Sequence, residues 1–256
     1  MKFLLFSVVL LILSFNIISA AELTPSINYY DITVRVSPQY DSFHIEALMD
    51  ITPQGKDLEI SVGKYFRGTE VRDVRVYSGS EELKYTFNDN IINLTLKDRN
   101  IDKLLITYRL CPVKEKDDLY SSFAFNISES DCRINASITR TDNWFPKIKN
   151  SSPERLPFFT LSIDVPSHLE VMASGRLDYI SEHQGRKIYR WKNYEHMTDR
   201  SLYFFALPCK KIERIYPGNF SVKLYVPNNS IDKNIDYVAD VIYKSYKYFE
   251  EHFGET

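Results

Sequence analysis

Tyr29-Tyr30-Asp31-Ile32-Thr33-Val34-Arg35-Val36-Ser37 is the stretch whose reading decides the fold. Tyr30, Ile32, Val34 and Val36 recur at every second position, with Asp31, Thr33 and Arg35 between them. Successive side chains of a strand point to opposite faces, so this alternation marks a half-buried strand. Ser37-Pro38-Gln39-Tyr40-Asp41-Ser42 supplies turn chemistry. Phe43, Ile45, Ala47, Met49 and Ile51 then alternate with His44, Glu46, Leu48 and Asp50, which completes an antiparallel hairpin.

Working outward, the same period predicts strands over 58–62, 71–77, 83–87, 91–96, 104–110, 119–125 and 133–139. Asp142-Asn143-Trp144-Phe145-Pro146 and Asn150-Ser151-Ser152-Pro153-Glu154 interrupt with turn residues, the best internal boundary. Strands resume over 158–165, 169–173, 187–192, 201–207 and 220–226. Turn signals every 8–12 residues argue for an all-β, antiparallel β-sandwich. After residue 228 the period changes. Ile235, Val238, Ala239, Ile242, Tyr246, Phe249 and Phe253 form one stripe of a helix over Ile235–Phe253. Asp232 or Asn234 can cap its start, and Gly254 its end.

Lys2, the apolar run from Phe3 to Leu13 and Ile18-Ser19-Ala20-Ala21 read as an export signal cleaved after Ala20 or Ala21. An uncleaved signal would instead anchor the chain to a membrane. The chain then divides into a signal (1–20), a β-sandwich domain (21–228) and the truncated start of a helical, catalytic-type domain (229–256). The expected location is secreted, periplasmic or extracellular.

A content of 44% hydrophobic and 14% aromatic residues belongs to a globular protein. A net charge of −2, with dispersed basic residues, gives no general attraction to nucleic acid. Export makes disulfides accessible, and Cys111 with Cys132 is the expected pair, Cys209 being left over. Closing that loop would contribute roughly 3 kcal/mol. Six N-x-S/T triplets start at Asn93, Asn126, Asn135, Asn150, Asn219 and Asn228; they would carry glycans only in a host with that machinery, and Asn-rich exposed turns also give such triplets by chance.

Catalytic chemistry is hard to place. His44, His168, His183, His196 and His252 share no metal-ligand spacing and read as surface or turn histidines. Gly63 to Thr69 lacks the Lys before Thr that a phosphate loop needs, and reads as a turn. Glu81-Glu82, Asp117-Asp118 and Glu250-Glu251 are sequence neighbours, which in a strand face opposite sides. There is no G-x-S-x-G elbow. Trp144-Phe145-Pro146 reads either as an exposed aromatic that binds sugar or peptide, or, as preferred here, as a corner anchor packed under a loop.

The ordered motifs resemble the N-terminal β domain of the aminopeptidase N family of zinc metallopeptidases. Asn28 to Val34 resembles that family's first strand and Phe43 to Ala47 its second. Ile106-Thr107-Tyr108 is similar to its I-x-Y, and Trp144-Phe145-Pro146 to its W-x-P. Phe159 to Pro166 followed by Ala173-Ser174-Gly175 is the strongest stretch. Tyr243 to Gly254 resembles the first helix of the catalytic domain. The resemblance implies an exported non-catalytic domain, and a zinc ion and H-E-x-x-H helix in a catalytic domain absent from this chain. It implies that domain as partner, in cis or in trans, and peptides as substrates of the whole enzyme. It carries no catalytic, cofactor or metal residue onto this chain. The alternative is a free-standing secreted binding module; a hydrolase with a dispersed active site is the third reading.

Overall fold

A computed structural model describes residues 25–37, 42–62, 69–98, 100–112, 125–127, 132–134, 144–149, 151, 158–193, 202–227 and 234–254. Eighteen strands and one helix of more than one turn lie among them: β1 (Ser26–Ser37), β2 (Ser42–Thr52), β3 (Asp57–Ser61), β4 (Thr69–Ser78), β5 (Glu81–Glu82), β6 (Tyr85–Asn88), β7 (Ile91–Thr95), β8 (Lys103–Pro112), β9 (Phe125–Ile127), β10 (Cys132–Ile134), β11 (Lys147–Ile148), β12 (Phe158–Pro166), β13 (Glu170–Ala173), β14 (Arg176–His183), β15 (Arg186–Asn193), β16 (Phe204–Leu207), β17 (Cys209–Tyr216), β18 (Phe220–Pro227) and α1 (Ile235–Phe253).

The long alternating strands build one eight-stranded sheet, in the order β14-β15-β12-β1-β2-β8-β4-β5. Two four-stranded sheets, β11-β3-β7-β6 and β13-β16-β10-β9, supply the opposing layer. Tyr30, Ile32, Val34 and Val36 of β1, Phe43, Ile45, Ala47 and Met49 of β2 and Phe159, Leu161, Ile163 and Val165 of β12 are all buried. They join Ile60 and Ile92 from one small sheet and Val171, Phe204 and Ala206 from the other in a single apolar core. This is the sandwich that the period of two predicts: one large sheet over two small ones. β1 and β2 pair from Ser37↔Ser42 to Ser26↔Thr52, as the hairpin reading requires. One pair departs from the antiparallel expectation. β12 runs parallel to β1, with Tyr30↔Phe159 and Val34↔Ile163 in register. More than a hundred residues separate these strands, and a parallel pair needs such a long connection.

Four strands escape the sequence reading, the two-residue β5 and β11 and the longer β14 and β17. β14 sits at the edge of the large sheet, exposed along most of its length, with a bulge between Leu177 and Tyr179 that breaks the alternation. Among the described residues β17 pairs only with β18, in a two-stranded sheet. Gly175 has a sequence-visible reason. Its φ is +91°, and a Cβ there would meet the Lys192 carbonyl oxygen at 2.7 Å, so only glycine fits this close approach.

The outer face of the large sheet is polar. Asp164, 6% exposed, lies between two guanidinium groups, accepting from Arg35 Nε at 2.8 Å and Arg186 Nε at 2.6 Å. Arg186 also donates to the carbonyls of Val36 and Asp164 at 3.0 Å, which ties β15 to β1 and β12.

Candidate functional site

The motifs singled out above converge on one buried node. Trp144 is 0% exposed and Phe145 1%, so the aromatic cluster is an anchor, not an exposed binding patch. Tyr30 Oη donates to the Pro146 carbonyl at 2.6 Å, and Tyr108 Oη to the Trp144 carbonyl at 2.5 Å. Trp144 Nε1 donates to the Leu202 carbonyl at 2.9 Å. The rings of Trp144, Phe145, Tyr30 and Phe204 meet edge to face at 5.5–6.0 Å. Each polar tip is satisfied by a backbone carbonyl, which removes the desolvation cost of burying it. Burial also lifts the Tyr108 phenol well above its ordinary pKa, so it is locked as a neutral donor. The node joins β1, β8 and the segment ahead of β16: it is structural.

The candidate chemical residues stay apart. His44 lies beside Glu46 at 3.2 Å on the outer sheet face, His168 and His183 are exposed, and His252 Nδ1 lies 2.8 Å from the Tyr248 carbonyl on α1. Glu81 pairs with Lys97, and Glu250 with Lys247. Among the described residues no three His, Cys, Asp or Glu side chains converge to hold a metal ion. The described residues thus present no side-chain set that fits a zinc ion. Residues 1–24, the Gly63–Gly68 turn, the 114–118 charge run and His196 lie outside the described residues. So does the side chain of Cys132, and with it the expected Cys111 pairing. Cys111 itself is buried at the end of β8, and its thiol is pushed up by that burial. Among the described residues, no helix is long and apolar enough to cross a membrane. An open groove of about 710 Å³ lies over β3, β6 and β7. It mixes Asp57 and Glu59 with Lys84 and Lys149 and presents no convergent catalytic set.

What is unusual is α1. One of its faces rests on the β17–β18 hairpin. Tyr243 stacks on Tyr216 at 4.4 Å, Tyr246 stacks on Phe220 at 4.4 Å, and Ala239 is fully buried. Arg214 Nε holds Asp236 at 2.7 Å, and Tyr216 Oη donates to Asp240 at 2.7 Å. Burial, then that bond to Asp240, pushes the Tyr216 phenol up to about 12. Asn234 occupies the N-cap position without a side-chain cap bond, so the ion pair to Asp236 anchors the first turn instead. Gly254 ends the helix at φ +86°, its N–H donating to the Glu250 carbonyl at 3.1 Å. The predicted stripe is thereby split. Ala239 and Tyr246 face the hairpin; Val238, Ile242, Phe249 and Phe253 remain exposed, Phe249 at 56% and Phe253 at 75%. Tyr237, Val241 and Tyr248 widen that exposed arc. Contiguous exposed apolar surface of this kind marks an interaction site in a folded protein.

No protein-family profile and no curated protein matches the chain. Its fold, however, is shared with solved structures of one class, the M1 zinc metallopeptidases, so the resemblance read from the motifs holds at the level of fold. The M1 zinc metallopeptidase from Deinococcus radiodurans superposes with a TM-score of 0.60 at 12% identity, over 83% of this chain and 50% of that one. Legionella pneumophila aminopeptidase A, solved in complex with aspartic acid, gives 0.68 at 13% identity over 91% and 27%. A two-domain M1 zinc metallopeptidase bound to L-arginine gives 0.60 at 14% identity over 90% and 54%. The chain thus spans about a quarter to a half of the length of these enzymes.

Proposed function

We propose that this chain is the exported, non-catalytic N-terminal scaffold of an M1-type zinc aminopeptidase, and that it buttresses a peptidase domain supplied in cis or in trans. The observation that carries the reading is the exposed arc of α1: Val238, Ile242, Phe249 and Phe253 sit at helical spacing with no partner surface among the described residues. The partial overlap with the longer solved metallopeptidases supports it, since the unmatched part of those enzymes is where the zinc chemistry of a relative would reside. The sandwich would hold the arc rigidly through the hairpin and narrow access to the cleft of the docked domain. The free-standing binding module is the weaker reading, because it requires a helix whose apolar surface is satisfied by its own sheet.

The experiment has two parts. Metal analysis of the purified chain should find no stoichiometric zinc. The DNA following the codon for Thr256, and the neighbouring reading frames, should encode an H-E-x-x-H helix. The polypeptide bearing it should bind this chain and hydrolyse aminoacyl substrates faster in its presence. Stoichiometric zinc in the chain alone, or a zinc-motif polypeptide that neither binds nor responds, would contradict the proposal.

A further inference from the structure

The N-x-S/T triplets are the one set of sequence motifs that a docking role leaves unused. Twenty-four serines and twelve threonines among 256 residues would place a hydroxyl two positions after about two of the fifteen asparagines; the chain has six such triplets. Asn93 and Asn219 are the two whose side chains the structure describes, and both are exposed. Their backbones differ. Asn93 lies in the middle of β7, opposite Glu59 of β3 on one side and Thr86 of β6 on the other. Asn219 lies at the tip of the β17–β18 hairpin, in the Pro217–Gly218–Asn219 turn, at φ +60°. Phe220 beside it stacks on Tyr246, so the tip stands on the side of α1 that the hairpin already covers, away from the exposed arc.

A glycosyl transferase must draw the triplet out of its local hydrogen bonds, contact the hydroxyl two residues on and aim the carboxamide nitrogen at an activated sugar. A hairpin tip opens locally at small free-energy cost; a central strand opens only with its sheet. Ser221 Oγ donates to the Glu213 carboxylate across the hairpin, and its backbone lies opposite Ile215, one step from the Tyr216–Phe220 pair that closes the ladder. Thr95 donates to Asp57 at 2.7 Å inside a paired sheet.

We propose that Asn219 is an N-glycan acceptor in the folded protein, and that Asn93 accepts only before its sheet closes. The proposal rests on the export part of the proposed function, since the donor is a polyisoprenyl-phosphate-linked oligosaccharide of an export compartment. The Asn219 carboxamide nitrogen attacks C1 of the first sugar. The N–C1 bond forms, the C1–O bond to the lipid phosphate breaks, the amide proton passes to a base of the transferase, and the lipid phosphate leaves with the electron pair.

The test is a purified full-length chain incubated with an oligosaccharyltransferase and a lipid-linked oligosaccharide, once folded and once urea-unfolded then diluted, with occupancy read site by site by peptide mass spectrometry. In the folded arm Asn219 should be occupied at least ten-fold above Asn93; in the unfolded arm the two should approach each other. N219Q should remove the folded-arm product at that site. Equal occupancy in the folded arm, or no Asn219 product there while a control peptide is modified, overturns the proposal. The assay bypasses export, so its outcome is separable from that of export itself, which amino-terminal sequencing of secreted product at Ala20 or Ala21 tests.

Discussion

The Trp144 node and the α1 arc are both aromatic-rich, and they are opposite in condition. At the node the rings of Tyr30, Phe145, Trp144 and Phe204 meet edge to face, and every indole or phenol tip donates to a backbone carbonyl. On α1 the rings of Tyr243 and Tyr246 are stacked on the hairpin, whereas Phe249 and Phe253 stand in solvent. The node is a finished interior, and its stability is already realised within the chain. The arc leaves its apolar side chains exposed among the described residues. That difference is what the proposed docking role of α1 rests on.

The largest effect that would sharpen this contrast is at the node. Trp144→Ala should destabilise the fold by about 3–5 kcal/mol, because it removes a fully buried ring and strands the Leu202 carbonyl; the urea midpoint measures it. Next comes Gly175→Ala, whose added Cβ meets the Lys192 carbonyl oxygen at 2.7 Å with φ at +91°; a loss of about 1–3 kcal/mol is expected from such strain. On the arc the expectation reverses. The double substitution Phe249→Ser with Phe253→Ser should change folding free energy by no more than about 0.5 kcal/mol per site, while abolishing binding to the zinc-motif partner in a pull-down. A large loss of stability there would show that the arc is covered by this chain itself.

The smallest effect concerns Asp31. Burial raises its carboxyl above the ordinary value, against the opposing pull of Arg190 at 3.7 Å. A carboxyl whose folded pKa exceeds its unfolded one binds its proton more tightly in the fold. Its protonated form favours folding below the ordinary carboxylate range, and that contribution is lost as pH rises through the raised value. Asp31→Asn should therefore be slightly more stable than the parent chain at pH 7 and indistinguishable from it at pH 3, as thermal melts at the two pH values would record.

Much of the sandwich was legible because β1, β2, β8 and β12 each seal one face against the core, which leaves a period of two in the sequence, interrupted at Leu48 and Leu105. β14 and β17 lack that seal, and their residues carry no period. The parallel β1–β12 pairing was out of reach, since local alternation says nothing about which distant strand lies alongside. The node was half legible: the W-F-P turn reads as an anchor, yet its partners Tyr30, Tyr108 and Leu202 come from three other segments. The helix stripe was read correctly in spacing but not in its division, because that depends on the hairpin beneath Ala239, Tyr243 and Tyr246, of which only the second strand was read.

Hydrogen–deuterium exchange across α1, on the chain alone and mixed with the zinc-motif polypeptide, tests the central claim most directly. The account predicts that peptides spanning 237–253 gain strong protection on mixing, while those covering Tyr108 and Trp144 are unchanged. Unaltered exchange over 237–253 at saturating partner, or protection already at its maximum in the isolated chain, would contradict it.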